Sequence, residues 1–289
     1  MDNLRGAALM TVAMLGFAAE DMLIKLLAGS LPSWEIILIL GTGISLVFAL
    51  LTRAAGRPLW TRAYLTRPVM IRNLGEICGT VGMVTALALA PLAAVSAILQ
   101  ASPLLVTLGA ALFLKEPVGW RRWGAVIVGF LGVMLVIQPG GAGFDPMALF
   151  ALLAVVGLGM RDVATRVVPR ETTSAQLSFL AFVIQIPTAL VLRMVTGEPM
   201  VMPGPTEGLR FLGVIALGAG AYYALTAAMR VGEVSFVTPF RYTRIIFALV
   251  FALAVFNERP NALMLVGTAV IVASGIYTLW RERKHRPKP

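Results

Sequence analysis

Several ionisable side chains stand inside long hydrophobic runs, where charge is expensive. Glu20, Asp21 and Lys25 lie in one run, Glu76 in another, Arg161 and Asp162 in a third, and Arg241 and Arg244 in a fourth. Each such charge costs roughly 2.5–3.5 kcal/mol in a bilayer even on the lenient insertion scale, so it must face a bundle interior or a watery cavity. The chemistry open to these groups is ionic recognition and gating.

Asp21 and Lys25 are four residues apart, share a helix face and can pair; Asp162 and Arg166 repeat the spacing. Two readings stand for each pair, a structural salt bridge or a wall of a cavity or gate. Glu20 has no equally obvious local cation, and Arg161 occupies its repeat-related position. The stretch Pro239-Phe240-Arg241-Tyr242-Thr243-Arg244 combines a helix breaker with two guanidiniums and a phenol. Proline removes a backbone donor and frees a carbonyl upstream, and a broken turn carrying two arginines can bind a carboxylate. The competing reading is a plain proline kink with the arginines snorkelling to the surface. Gln100 and Pro103 lie in the matching region of the first half. Glu76 is one turn beyond Arg72, so a local ion pair competes with a cavity role. Tyr222 and Tyr223 with Phe17 can form an aromatic pocket, or serve only packing and the lipid face.

Other chemistries lack their residues. One His (His285) and one Cys (Cys78) are too few for a His/Cys metal site. No G-x-x-x-x-G-K-[ST] is present, nor a strand to carry a dinucleotide fingerprint, so no cofactor is expected. H-E-x-x-H and G-x-S-x-G are also missing, which weighs against an enzyme. A membrane-embedded enzyme acting on a lipid-linked substrate would need catalytic side chains in loops too short to supply them. The net charge of +10 suggests nucleic acid, but the basic residues sit in gaps between apolar runs, not in a stripe on one face.

The elements that position these groups are membrane helices. Of 289 residues, 58% are hydrophobic and 13% charged, against about 45–50% and 25% in a soluble domain. Runs at about 6–28, 33–52, 69–90, 94–114, 120–138, 146–168, 174–195, 209–230, 234–256 and 261–280 each approach the ~20 residues that span a bilayer. Ten spans put both termini on one side. That side then holds seventeen of the 24 Lys and Arg, the other only Arg193, Arg210 and Arg259, with four inside spans. The positive-inside rule makes the richer side cytoplasmic.

The halves repeat each other. Gly16, Asp21, Lys25 and Ser33 match Gly157, Asp162, Arg166 and Ser174 at one offset; Val95-Ser96 matches Val234-Ser235, and Glu116-Pro117 matches Glu258-Arg259-Pro260. Five helices per half is an odd number, so the second copy enters the membrane in the opposite sense. We expect an all-α membrane protein with ten transmembrane helices in a 5+5 inverted-topology repeat around a central cavity. The repeats are expected at 1–140 and 141–289, the second ending in a short basic tail. Secondary transporters use this plan, with substrate at the repeat interface near the midplane.

With these features the chain resembles the drug/metabolite transporter superfamily, specifically its EamA-type members. The carrying motifs are Val95-Ser96 through Pro103 to Lys115-Glu116-Pro117, and Val234-Ser235 through Pro239 to Glu258-Arg259-Pro260, each followed by a Gly-rich helix. The second copy departs by a small insertion and its Arg-Tyr-Thr-Arg stretch. The resemblance implies alternating access by a monomer in a bacterial inner membrane, and within the family the chain looks most like exporters of amino acids, aromatic ones included. A zwitterion suits a cavity holding both carboxylates and arginines. A drug or nucleotide-sugar carrier of the same fold is the alternative, and a channel is a further one.

Overall fold

The computed structural model describes residues 2–115, 119–141, 144–169, 171–231 and 234–285. The motif residues Glu116 and Pro117, Arg170, and the tail beyond His285 lie outside the described residues; Val234 and Ser235 are described in backbone only. Within the described residues the chain is helical and carries no strand. Lipid offers backbone groups no partner, so the helix must satisfy them internally.

The first half comprises α1 (Asp2–Ala28), α2 (Ser33–Ala54), α3 (Arg67–Leu89), α4 (Leu92–Leu99) with α5 (Ser102–Phe113), and α6 (Trp120–Ile137). The second comprises α7 (Leu149–Thr165), α8 (Ser174–Val183) with α9 (Gln185–Thr196), α10 (Pro205–Val231), α11 (Val234–Val237) with α12 (Thr243–Phe256), and α13 (Ala262–His285). Each half thus makes five crossings. Nine of the ten are long and apolar enough to span a membrane by composition alone. The tenth is α3, whose first half carries Arg67, Arg72 and Glu76; Arg72 and Glu76 pair with each other, and Glu76 also with Arg161 of α7, as described below.

Local sequence fixes the ends and breaks. Pro32 and Pro91 stand just before α2 and α4. Thr173 and Gln176 form a capping box that starts α8. Asn257 and Gly197 end α12 and α9 in the left-handed conformation, with φ of 52° and 67°. The fourth span breaks at Gln100 and Ala101, with Pro103 in the first turn of α5. The ninth passes through a 3-10 stretch, Thr238–Tyr242, that contains Pro239. The seventh also breaks, at Ile184, where the apolar run over 174–195 predicts one continuous helix.

Packing follows the duplication. α1 lies along α10 as α7 lies along α3, while α6 meets α13 and α2 meets α8 and α9. Exchanging first with sixth span and third with eighth turns the first two packings into each other, and exchanging second with seventh and fifth with tenth leaves the other two in place. That is what a pseudo-two-fold axis in the membrane plane requires. Side chains obey it too. The buried Glu35 in the first turn of α2 accepts from the Val201 N–H at 3.0 Å. Its counterpart Gln176, in the first turn of α8, donates to Pro58 O at 2.8 Å. Each reaches the loop that leads into the third span of the repeat opposite in role.

Small residues let the inner helices touch. A Cβ on Gly75 would stand 2.7 Å from both Arg161 N and Gly157 O, and one on Gly157 would collide with the Gly79 backbone. Helices in lipid associate by such close packing. Gly157→Ala is therefore expected to destabilise the protein by about 1–3 kcal/mol, the usual cost of forcing atoms into a filled core. Gly124→Ala, where a Cβ meets nothing within 4 Å, serves as control. Melting of the purified protein followed by size-exclusion checks this, and equal midpoints for the two variants would contradict it.

Candidate functional site

α1, α12, α3 and α7 bring the sequence-predicted charges together between the repeats. Asp21 is fully buried, and its Oδ2 accepts from Arg244 Nη2 at 2.6 Å and from Nε at 3.1 Å. The guanidinium of Arg244 also lies 5.5 Å from the centre of the Phe17 ring, a cation–π contact one helical turn before Asp21. The expected partner of Asp21 was Lys25, and the structure corrects this.

Beside that pair runs a four-membered chain. Arg72 Nη2 lies 3.6 Å from Glu76, Arg161 Nη1 lies 3.4 Å from the other Glu76 oxygen, and Arg161 Nη2 lies 2.8 Å from Asp162. Asp162 thus draws on Arg161, its sequence neighbour. Gln185, at the start of α9, donates to Thr80 Oγ1 at 3.0 Å and to Glu76 O at 3.3 Å. A charge chain of this kind inside a bundle neutralises itself, which is how α3 tolerates its arginine at this depth.

Glu20 has a different setting. Its Oε1 would lie 2.9 Å from a Cβ on Gly218, so only glycine on α10 leaves the carboxylate its place. One turn further along α10, Tyr222 meets Phe48 of α2 edge-on at 6.1 Å, and Phe48 stacks on Phe182. Arg241 is exposed and lies within electrostatic reach of Asp162, Arg161 and Arg244. Tyr242 is buried, with its hydroxyl pressed against Gly275 of α13. Tyr223 is 77% exposed on α10 and does not join the cluster. Gln100 is buried at the break of the fourth span. Pro103 and Pro239 sit at the two helix breaks.

At the end of the bundle opposite the termini, residues that sequence reasoning had not grouped tie the two repeats together. Lys25 Nζ donates to Ala90 O at 2.6 Å and Leu87 O at 3.3 Å, and stands 3.7 Å from Glu258. Glu258 accepts from the N–H groups of Leu92 at 2.7 Å and Ala93 at 2.9 Å. The last carbonyls of α3 and the first amides of α4 are the orphan groups of two helix ends, and they attract a cation and an anion respectively. The latch ties α1, α3 and α4 of one repeat to the end of α12 in the other. Its only trace in the sequence is the place of Lys25 and Glu258 in the repeat.

Among the described residues no group of His, Cys, Asp and Glu could hold a metal ion. The arrangement offers charge recognition and a tie between the two repeats.

Comparison with known proteins agrees. The EamA-like transporter family model matches twice, over residues 4–138 and 145–280. An S-adenosylmethionine uptake transporter of Rickettsia conorii is 24% identical, the alignment covering 97% of this chain and 94% of that protein. A riboflavin transporter of Rhizobium johnstonii is 28% identical over 82% of this chain and 76% of its own. A pseudopaline exporter of Pseudomonas aeruginosa is 26% identical over 98% and 99%. A protein crystal structure superposes with a TM-score of 0.57 at 21% identity, covering 95% of this chain and 99% of that one, and shows the shared fold. Two family matches, five crossings under each, and ionic groups gathered where the two halves meet lead to one conclusion: the chain is a multi-pass membrane transporter of the EamA-like family, within the drug/metabolite transporter superfamily.

Proposed function

We propose that the chain carries amino acids or amino-acid derivatives across a bacterial inner membrane by alternating access, with its termini in the cytoplasm. The observation that carries this reading is the set of ionisable side chains held midway between the inverted repeats, sealed from one end by the Lys25–Glu258 latch. Charges at that depth are costly and repay their cost when they bind a polar solute. The distribution of Lys and Arg supports the orientation.

Export of amino acids is the direction the sequence suggested. The relatives favour a broader statement, since they are named for uptake of S-adenosylmethionine, itself an amino-acid derivative, for riboflavin transport and for pseudopaline export. Direction then depends on the gradient or coupling, and the solute is the better object of test. Purified protein in liposomes is expected to show saturable counterflow of radiolabelled S-adenosylmethionine, phenylalanine, threonine or methionine. Riboflavin flux without flux of any of these four would overturn the amino-acid reading.

A further inference from the structure

Four arginines stand exposed where α2 passes into α3, at the end of the bundle that holds the termini. Arg53 lies in the last turn of α2, Arg57 and Arg62 follow in the connecting segment, and Arg67 opens α3. None of the four guanidiniums has an ion pair or a hydrogen bond with another described residue. The sequence supplies them no acid: from Ile36 to Gly75 there is neither Asp nor Glu. Glu171, in the segment that leads into α8, forms no ion pair with them. Arg72, the next arginine along, behaves differently, since it is buried and turns to Glu76.

The segment that carries these charges is fastened to the bundle. Gln176 Nε2 donates to Pro58 O at 2.8 Å, and the buried Tyr64 hydroxyl lies 2.9 Å from Leu59 O and 3.2 Å from Gln176 O. Trp60 stands edge-on to Tyr64 and to Phe179 of α8, with ring centres 6.0 Å and 5.7 Å away, yet it is 64% exposed, and Leu65 is 79% exposed. Basic groups beside exposed apolar ones at a membrane protein's end are what an anionic lipid surface attracts. The repeat-related segment at the opposite end is pinned by the same device, Glu35 to Val201 N–H. That segment, 197–204, has no Lys or Arg and carries Glu198. The fold therefore does not need arginines to hold such a connection, and those at 53–67 are free for a partner.

We infer that the 53–67 segment is a docking surface for anionic phospholipid in the leaflet on the side of the termini. The headgroup phosphates pair with Arg57, Arg62 and Arg67, and Trp60 and Leu65 enter the same leaflet. Arginine suits phosphate because its planar fork donates two hydrogen bonds at once, and Trp favours the headgroup level. The arginines belong to the first repeat, while Gln176 and Phe179 belong to the second. A lipid held here steadies a contact between the two, so it stabilises the folded protein as any ligand of the native state does. The inference does not depend on which solute is carried.

The test titrates the purified chain, in a neutral detergent, with phosphatidylglycerol, phosphatidylcholine and glycerol 3-phosphate. Native mass spectrometry counts the lipid retained, and the melting midpoint is the second readout. Phosphatidylglycerol is expected to be retained at least about tenfold more tightly than phosphatidylcholine and to raise the midpoint, since each basic residue near an anionic surface contributes about fivefold. The triple variant Arg57→Gln, Arg62→Gln, Arg67→Gln should lose that preference by at least about tenfold. Its melting without lipid should match the parent, because all three side chains are exposed and unpaired. A control triple, Arg5→Gln, Arg121→Gln, Arg259→Gln, removes the same charge from exposed positions elsewhere and should keep the preference. Equal retention of the two lipids would overturn the inference. Equal loss in both triples would do so too, by showing net charge at work and no docking surface. Displacement of phosphatidylglycerol by an equal concentration of glycerol 3-phosphate would overturn the lipid as occupant and leave a site for soluble phosphate.

Discussion

Lys25→Ala is expected to shift the protein toward a form open at the end opposite its termini, by about tenfold or more. Lys25 supplies contacts to Ala90 O, Leu87 O and Glu258, and its side chain is only 15% exposed. Hydrogen bonds that involve a charge contribute about 1.5–3 kcal/mol each to the state that makes them. The open state lacks them, so removing Lys25 penalises the closed state alone, and about 1.4 kcal/mol of such bias changes a two-state ratio tenfold. The chain has one thiol, Cys78, which makes the reading simple. In a Cys78→Ser background, a reporter cysteine placed at Ala94, 5% exposed in the first turn of α4, is shielded while the latch is shut. Its alkylation by a maleimide should quicken about tenfold when Lys25→Ala is added. An unchanged rate would show that closure rests on other contacts.

Arg244→Gln is expected to cost about 3–5 kcal/mol of stability and to stop transport. Asp21 has no exposure, one of its oxygens already lacks a partner among the described residues, and Arg244 provides every contact to the other. Removing the cation strands a carboxylate beside Glu20 in the middle of the bundle, and breaking one member of a buried pair carries that penalty. The double variant Asp21→Asn with Arg244→Gln removes both charges and should recover most of the melting midpoint, because replacing a whole buried pair is far milder than halving it. Transport should stay low in both, since Arg244 also holds Phe17 of α1. A single variant that melts like the parent would refute the ion-pair account.

The helical plan was readable because membrane spans announce themselves by length and apolarity, and the repeat by matched positions such as Asp21 with Asp162. The pairing of charges was less readable. Spacing of four residues makes Asp21 and Lys25 neighbours on one helix face, yet each found a stronger partner elsewhere. Asp21 lies at the depth of Arg244 on α12, whereas Lys25 lies a turn nearer the end of α1, beside the unpaired carbonyls that finish α3. Helix-end groups of this kind are invisible until the helices are placed. Tyr242, in the 3-10 stretch with Arg241, carries a contact the sequence does not announce, its hydroxyl lying against Gly275 of α13. The seventh span's break went unread because apolar residues run through it, although Pro187 stands three residues past Ile184.

Glu258 has two tasks in one carboxylate, since it both holds Lys25 and satisfies the amides of Leu92 and Ala93. Opening that end therefore uncaps α4 at the same moment. The two amides become free to trade their protons with solvent only while the passage is open, so their deuterium uptake is a built-in clock for the transport cycle. A solute that holds the protein shut would slow that clock, and one that draws it open would speed it, with no label attached to the chain.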